Sequence, residues 1–292
     1  MARTTLRHTD VVNKKIIFVA DAFRKDFLGG GECNDSVLIN YLVALKYSVR
    51  IVRCLELQPD DLEQNNFFIV GNFISLSEKN KQLLQKEEYI IYEHDHKYIK
   101  SRDPSVYKNF TAPPDHIINH DFYRNAKAVV VLSNICKEIL EKNLNIGNVY
   151  NIGCSLWANN KLDFIETLTN QEKNEKFAIL GSSNPIKNTY EAVMFCEKNN
   201  IEFDIIDPCE EKELLTKLSS YKGLVFFPKV LETFSRLSAE AKMLNCKLLT
   251  KPKMLGFASE EIYTLSGSEL IEEIRQRKHD ALMLFLKLIE DE

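Results

Sequence analysis

The chain alternates short apolar runs with longer stretches whose apolar positions fall three and four apart. Runs at 15–21 (KIIFVAD), 49–54, 67–70, 89–92, 128–132 (AVVVL) and 148–152 have the length and composition of strands buried in a sheet. Between them, helical spacing through Val37, Leu38, Tyr41, Leu42 and Leu45, and again over 78–86 and 134–143, predicts helices. A long loop rich in polar and aromatic residues separates the fourth and fifth runs. This order predicts a doubly wound parallel sheet.

The rhythm fails over 152–174, which is polar and reads as a linker, and then restarts. Strands are predicted at 177–180, 203–206, 224–227 and 247–250, helices at 189–198, 210–219 and 235–244, and a last helix at 268–289. The expectation is an α/β protein of two Rossmann-like halves. Residues 1–155 and 156–267 form these halves, and 268–292 form a helix that returns to the first. Their cleft lies where open α/β sheets bind ligands, at the carboxyl ends of the strands. At 292 residues each half is large enough for its own core.

Composition narrows the class. The net charge of −4 is mildly acidic and no Lys/Arg block stands out, which argues against a dominant nucleic-acid or anionic-membrane surface. Seven cysteines, none in a CxxC pair, read as reduced and mostly buried. No apolar run is long enough to span a membrane, and MARTTLRHTD lacks a signal-peptide core, so a cytoplasmic location is expected.

The candidate chemistry centres on LETFSRLSAEAKMLNCK, 231–247. It follows a buried strand, with Ser235 as the expected cap of a helix. Glu232 then lies in the loop and Glu240 inside the helix, both toward the ligand edge. The competing reading makes Arg236 and Glu240 a surface i,i+4 ion pair and Glu232 a solvated loop residue. Gly29, Gly30 and Gly31 between strand and helix suit a phosphate-cradling turn, or equally a plain flexible one. GSSNPIKN, 181–188, leaves a strand and enters a helix, where Lys187 could meet an anion. EHDH, 93–96, with His116, His120 and Asp121 raises a metal site, against the commoner reading of hydrogen-bonding loop histidines.

Together these segments resemble the retaining, nucleotide-sugar-dependent glycosyltransferases of the GT-B fold that carry paired glutamates. The family's glycine-rich loop falls on Gly29, Gly30, Gly31 and Glu32, and its histidine after the fourth strand on His94, with His96 the alternative. Its Gly-Arg…Lys-Gly segment falls on Gly181, Ser182, Lys187 and Asn188, and its two glutamates on Glu232 and Glu240. Ser182 stands where the family usually has arginine, and Asn188 where it has glycine.

The resemblance implies a sugar passing from a nucleotide-sugar donor on the second half to an acceptor on the first. The acceptor is left open as a glycan, a lipid-linked saccharide, a protein or a modified nucleic-acid base. Lys187, Glu232 and His94 are implied as catalytic. Gly30, Gly31, Gly181, Ser182, Lys187, Arg236, Glu240, Thr233 and Phe234 are implied as donor-binding. Glu240 would accept from ribose hydroxyls and Glu232 from sugar hydroxyls, while Lys187 would steady the departing pyrophosphate. No metal or other cofactor is expected. Two rivals share the architecture: a nucleotide-sugar epimerase, and a degenerate transferase that binds without turnover.

Overall fold

The computed structural model describes residues 15–26, 29–62 and 66–291. The expectation about the N-terminal leader, and part of the loop before Gly29, lie outside the described residues.

Among the described residues, ten strands form two all-parallel sheets. β1 (Lys15–Ala20), β2 (Val49–Arg53), β3 (Asn66–Val70), β4 (Glu88–Tyr92), β5 (Ala128–Val131) and β6 (Val149–Asn151) run in the order β2-β1-β3-β4-β5-β6. β7 (Phe177–Leu180), β8 (Phe203–Ile206), β9 (Gly223–Phe226) and β10 (Lys247–Thr250) run β10-β9-β7-β8. The helices are α1 (Gly30–Ala44), α2 (Glu78–Leu84), α3 (His120–Arg124), α4 (Asn134–Leu144), α5 (Asn159–Leu168), α6 (Thr189–Lys198), α7 (Glu211–Ser219), α8 (Arg236–Met243) and α9 (Gly267–Glu290). In each sheet the strand order reverses beside the first strand, at β1/β3 and at β7/β9, and such reversals open crevices at the carboxyl ends.

Past their first residues, the central strands β1, β3, β4 and β5 are apolar on both faces, because both faces are covered. Ile16, Phe18 and Ala20 of β1 point into a core shared with α1 and α9, while Ile17 and Val19 point into the core on the opposite face. The first of these cores continues through Leu224 and Phe226 of β9 and Ala239 and Ala241 of α8, so one apolar mass joins the two sheets.

Segment 152–174 is not the polar linker its composition suggests. Cys154, Ser155, Leu156 and Trp157 are fully buried, and α5 places Leu162 and Ile165 in the shared core. Few apolar residues suffice because they recur at helical spacing on one face. α9 crosses back to the first sheet, where Phe285 meets Tyr92 ring to edge at 4.9 Å and Tyr47 donates to Glu290.

Two expected helix starts also differ. Ser235 precedes α8 but does not cap it: at φ 77° and ψ 82° its hydroxyl turns to Ser238 Oγ, 2.9 Å away. Gly30 and Gly31 are not a turn but the first residues of α1, after an extended Gly29.

Candidate functional site

The loops after β1, β4, β7 and β9 converge on a cavity of about 400 Å³ between the two sheets, lined among others by Gly30, His94, Lys187, Glu232, Arg236 and Glu240. The glycines at its wall are explained by proximity. A Cβ on Gly31 would meet the His94 ring at 3.2 Å, and one on Gly30 would meet Arg236 Cδ at 3.5 Å. Absence of side chains lets α1 approach both groups.

At one end Lys187 Nζ lies 2.9 Å from Glu232 Oε1. Lys187 sits in a single 3-10 turn, Pro185–Lys187, ahead of α6 rather than inside a first helical turn. Asn188, at φ 56°, turns the chain into α6 and donates to the Phe227 carbonyl at 3.0 Å. Asparagine tolerates this left-handed conformation better than most residues.

His94 lines the same cavity as Lys187 and Glu232. Its Nε2 is 2.8 Å from Asp35 Oδ1. A carboxylate only accepts, so Nε2 carries the proton, and in the neutral ring Nδ1 is left as an acceptor; that buried atom has no partner among the described residues. Thr233 Oγ1 donates to the His94 carbonyl at 3.2 Å, and the Thr233 carbonyl accepts from Ser133 Oγ at 2.8 Å. The loop carrying Glu232 is thus tied to the segments that follow β4 and β5.

Glu240 is the hub of the other end. Its Oε1 accepts from Trp157 Nε1 at 2.8 Å and from Lys161 Nζ at 2.5 Å. Arg236 Nε is 4.0 Å from the same oxygen, and the carboxylate is 7% exposed, so the surface ion-pair reading does not hold. Burial alone would raise the Glu240 carboxyl, but the Lys161 and Arg236 charges and the Lys161 and Trp157 hydrogen bonds outweigh it and hold its pKa below the ordinary value. Arg236 is pinned with its guanidinium 4.4 Å over the Trp157 ring, donating to Ser155 Oγ at 2.9 Å and the Leu156 carbonyl at 2.6 Å. Phe234 is buried and packs against Trp157 and Phe257 while lining the cavity.

Gly181 and Ser182 do not line it. A Cβ on Gly181 would meet the Ile206 carbonyl at 3.0 Å, and Ser182 is used in the loop, its Oγ accepting from Asn184 N at 3.2 Å. The histidines raised as metal ligands are dispersed. His116 bonds the Tyr107 hydroxyl at 2.9 Å, His120 the Leu144 carbonyl at 3.0 Å, and buried His96 the Tyr98 hydroxyl at 3.1 Å. Glu93 forms a buried ion pair with Lys97 at 2.7 Å. Among the described residues no group of three His, Cys, Asp or Glu side chains is arranged to hold a metal ion.

Sequence reasoning missed Asp35, Trp157, Lys161 and Glu211. The helical spacing of Leu162, Ile165 and Leu168 after the sole tryptophan was the available signal for the segment that supplies Trp157 and Lys161.

No family model matches the chain, and no curated relative does. Among solved structures it is similar to HepE of Anabaena in complex with UDP, at TM-score 0.50 and 12% identity over 91% of this chain and 90% of that one. It is also similar to the catalytic domain of starch synthase IV from Arabidopsis thaliana bound to ADP and acarbose, at TM-score 0.49 and 9% identity over 94% of each chain. A third is a UDP-N-acetylglucosamine 2-epimerase of Listeria monocytogenes, described as putative, at TM-score 0.44 and 10% identity over 96% and 91%. The likeness to HepE and the paired parallel sheets show the GT-B fold.

Proposed function

We propose that the chain is a glycosyltransferase that moves a sugar from a nucleotide-sugar donor to an acceptor with retention of configuration. The observation that carries the reading is the joint placement of Lys187, Glu232, His94 and Glu240 around one cavity between two parallel sheets. The UDP complex of HepE, on the same fold, supports a nucleotide as ligand.

In this reading the donor lies along the second half, with its ribose toward Glu240 and its sugar between Glu232 and His94. Glu240 Oε1 is occupied by Trp157 and Lys161, which leaves Oε2 to accept from a ribose hydroxyl. A bound diphosphate draws Lys187 away from Glu232, and the released carboxylate oxygen accepts from a sugar hydroxyl. His94 Nδ1, held as an acceptor by Asp35, takes a second sugar hydroxyl. Gly30 and Gly31 let the N-terminus of α1 approach the reacting centre. Thr233 and Phe234 shape the wall, and Arg236 adds positive potential from its fixed position. Gly181 and Ser182 act by holding the loop that carries Lys187, not by touching the donor.

The bond from the anomeric carbon to the diphosphate oxygen breaks as the acceptor oxygen bonds the same face. The acceptor proton passes to the departing phosphate oxygen, and Lys187 stabilises the charge that develops there. The acceptor enters from the first half. No divalent ion takes part.

Release of free nucleotide from UDP-, ADP- and GDP-sugars, with and without candidate acceptors, tests the reading. Transfer to an acceptor, with the anomeric configuration kept by NMR, is the expected result. A free sugar epimer formed without acceptor, or donor binding without turnover, would replace it with one of the two rivals.

A further inference from the structure

A second, smaller cavity of about 190 Å³ adjoins the main one and shares Cys33, Glu211 and Arg236 with it. Four cationic side chains line it, Arg24, Lys161, Lys212 and Arg236, against the single carboxylate of Glu211. That carboxylate is already paired with Lys161, which also serves Glu240. At the rim, Arg24 and Lys212 have no carboxylate partner among the described residues; Lys212 Nζ instead stands 5.6 Å over the Phe164 ring. Excess positive charge around a concave space raises the local concentration of anions and strengthens their binding. Arginine and lysine together suit an oxyanion with several acceptor oxygens.

We propose that this side cavity is an oxyanion subsite, distinct from the place of the donor diphosphate, which takes a phosphate group. The group is either free phosphate or a phosphomonoester on a molecule that also reaches the main cavity. Arg24 and Lys212 close over it from the rim, and Arg236 and Lys161 face it from the floor. Leu215 and Phe164 form an apolar side wall that leaves the oxygens directed at the cations.

The test is a ³¹P NMR titration of inorganic phosphate into the full chain at pH 8 and low salt. The wild type should show one saturable site. Arg24→Gln/Lys212→Gln, which alters two exposed side chains, should weaken it at least tenfold. Lys108→Gln/Lys198→Gln removes the same charge from exposed positions elsewhere and should leave it unchanged. Phosphate should still bind in the presence of excess UDP. Glucose 6-phosphate serves as the second arm: binding tighter than phosphate, with the same loss in the rim variant, assigns the group to a substrate, and equal binding assigns it to free phosphate. Equal weakening in both double variants, no weakening in either, or displacement of phosphate by UDP with a matching loss of UDP affinity in the rim variant overturns the subsite.

Discussion

Lys187 and Glu232, 45 residues apart in sequence, form a direct ion pair at 2.9 Å in the wall of the main cavity. One charge therefore holds the other in place, and any anion that binds Lys187 must compete with Glu232. A pair that keeps some solvent contact, as this one does, contributes little to stability, so its value lies in being exchangeable.

Lys187→Ala is expected to lower turnover about a hundredfold to a thousandfold, the scale for removing one transition-state donor, with a smaller loss of donor affinity. Ser182→Arg is not expected to compensate, because Ser182 lies in the loop outside the cavity lining. Steady-state kinetics of both variants with one working donor checks this. Near-normal turnover in Lys187→Ala would place the donor phosphates elsewhere.

Glu240→Gln keeps an oxygen for Trp157 but removes the charge opposite Lys161 and Arg236. Donor binding should weaken by about 1.5–3 kcal/mol, as for hydrogen bonds to charged groups. The fold should also lose stability, because Lys161 keeps only Glu211 as a partner. Calorimetric titration and urea unfolding read the two effects apart. A variant that binds donor like the wild type would remove Glu240 from the donor site.

Chelation is expected to leave activity unchanged, since Lys187 and Arg236 bring fixed positive charge to the cavity. Assay in excess EDTA, followed by single divalent ions, measures this. Activity lost to EDTA and restored by one ion would assign phosphate neutralisation to a metal.

Stability should fall with acid before the carboxylates titrate. Burial pushes the His96 pKa from 6.5 down to about 4, with Lys97 adding to the shift and Glu93 and Asp103 opposing it. Between those values the unfolded chain binds a proton that the folded chain does not, so stability is full above pH 6.5 and is lost as pH falls toward 4. The linked loss is on the order of 3 kcal/mol. Urea unfolding at pH 7.5, 5.5 and 4.5 should show it, and His96→Gln should flatten the slope. An equal slope in that variant would assign the effect to other groups.

What was legible in the sequence follows from which forces are local. Strands such as β1, β5 and β9 announce themselves because burial on both faces demands unbroken apolar runs. Both sheets, all ten strands and the last helix could be placed this way. The glutamate at 240 was found, but its partners were not, since Trp157 and Lys161 reach it from 83 and 79 residues away. Ser235 misled because capping preference is statistical, while its backbone is left-handed and its hydroxyl turns to Ser238, and the loop before it packs closely on Gly256. A Cβ on Gly256 would stand 2.0 Å from the Thr233 carbonyl oxygen. Gly181 and Ser182 matched a pattern in order and spacing, yet nothing local reveals on which side of a loop the cavity opens.

The path of α9 carries a consequence for synthesis. Phe285, Leu288 and Ile289 complete an apolar face that begins with Ile16 and Phe18 of β1, and Lys127 beside β5 donates to the Asp291 carbonyl. A ribosome that has released the first six strands has therefore not yet delivered the residues that seal them. The nascent first half must wait, with apolar surface uncovered, for more than a hundred further residues, so its completion lags well behind the synthesis of its own strands.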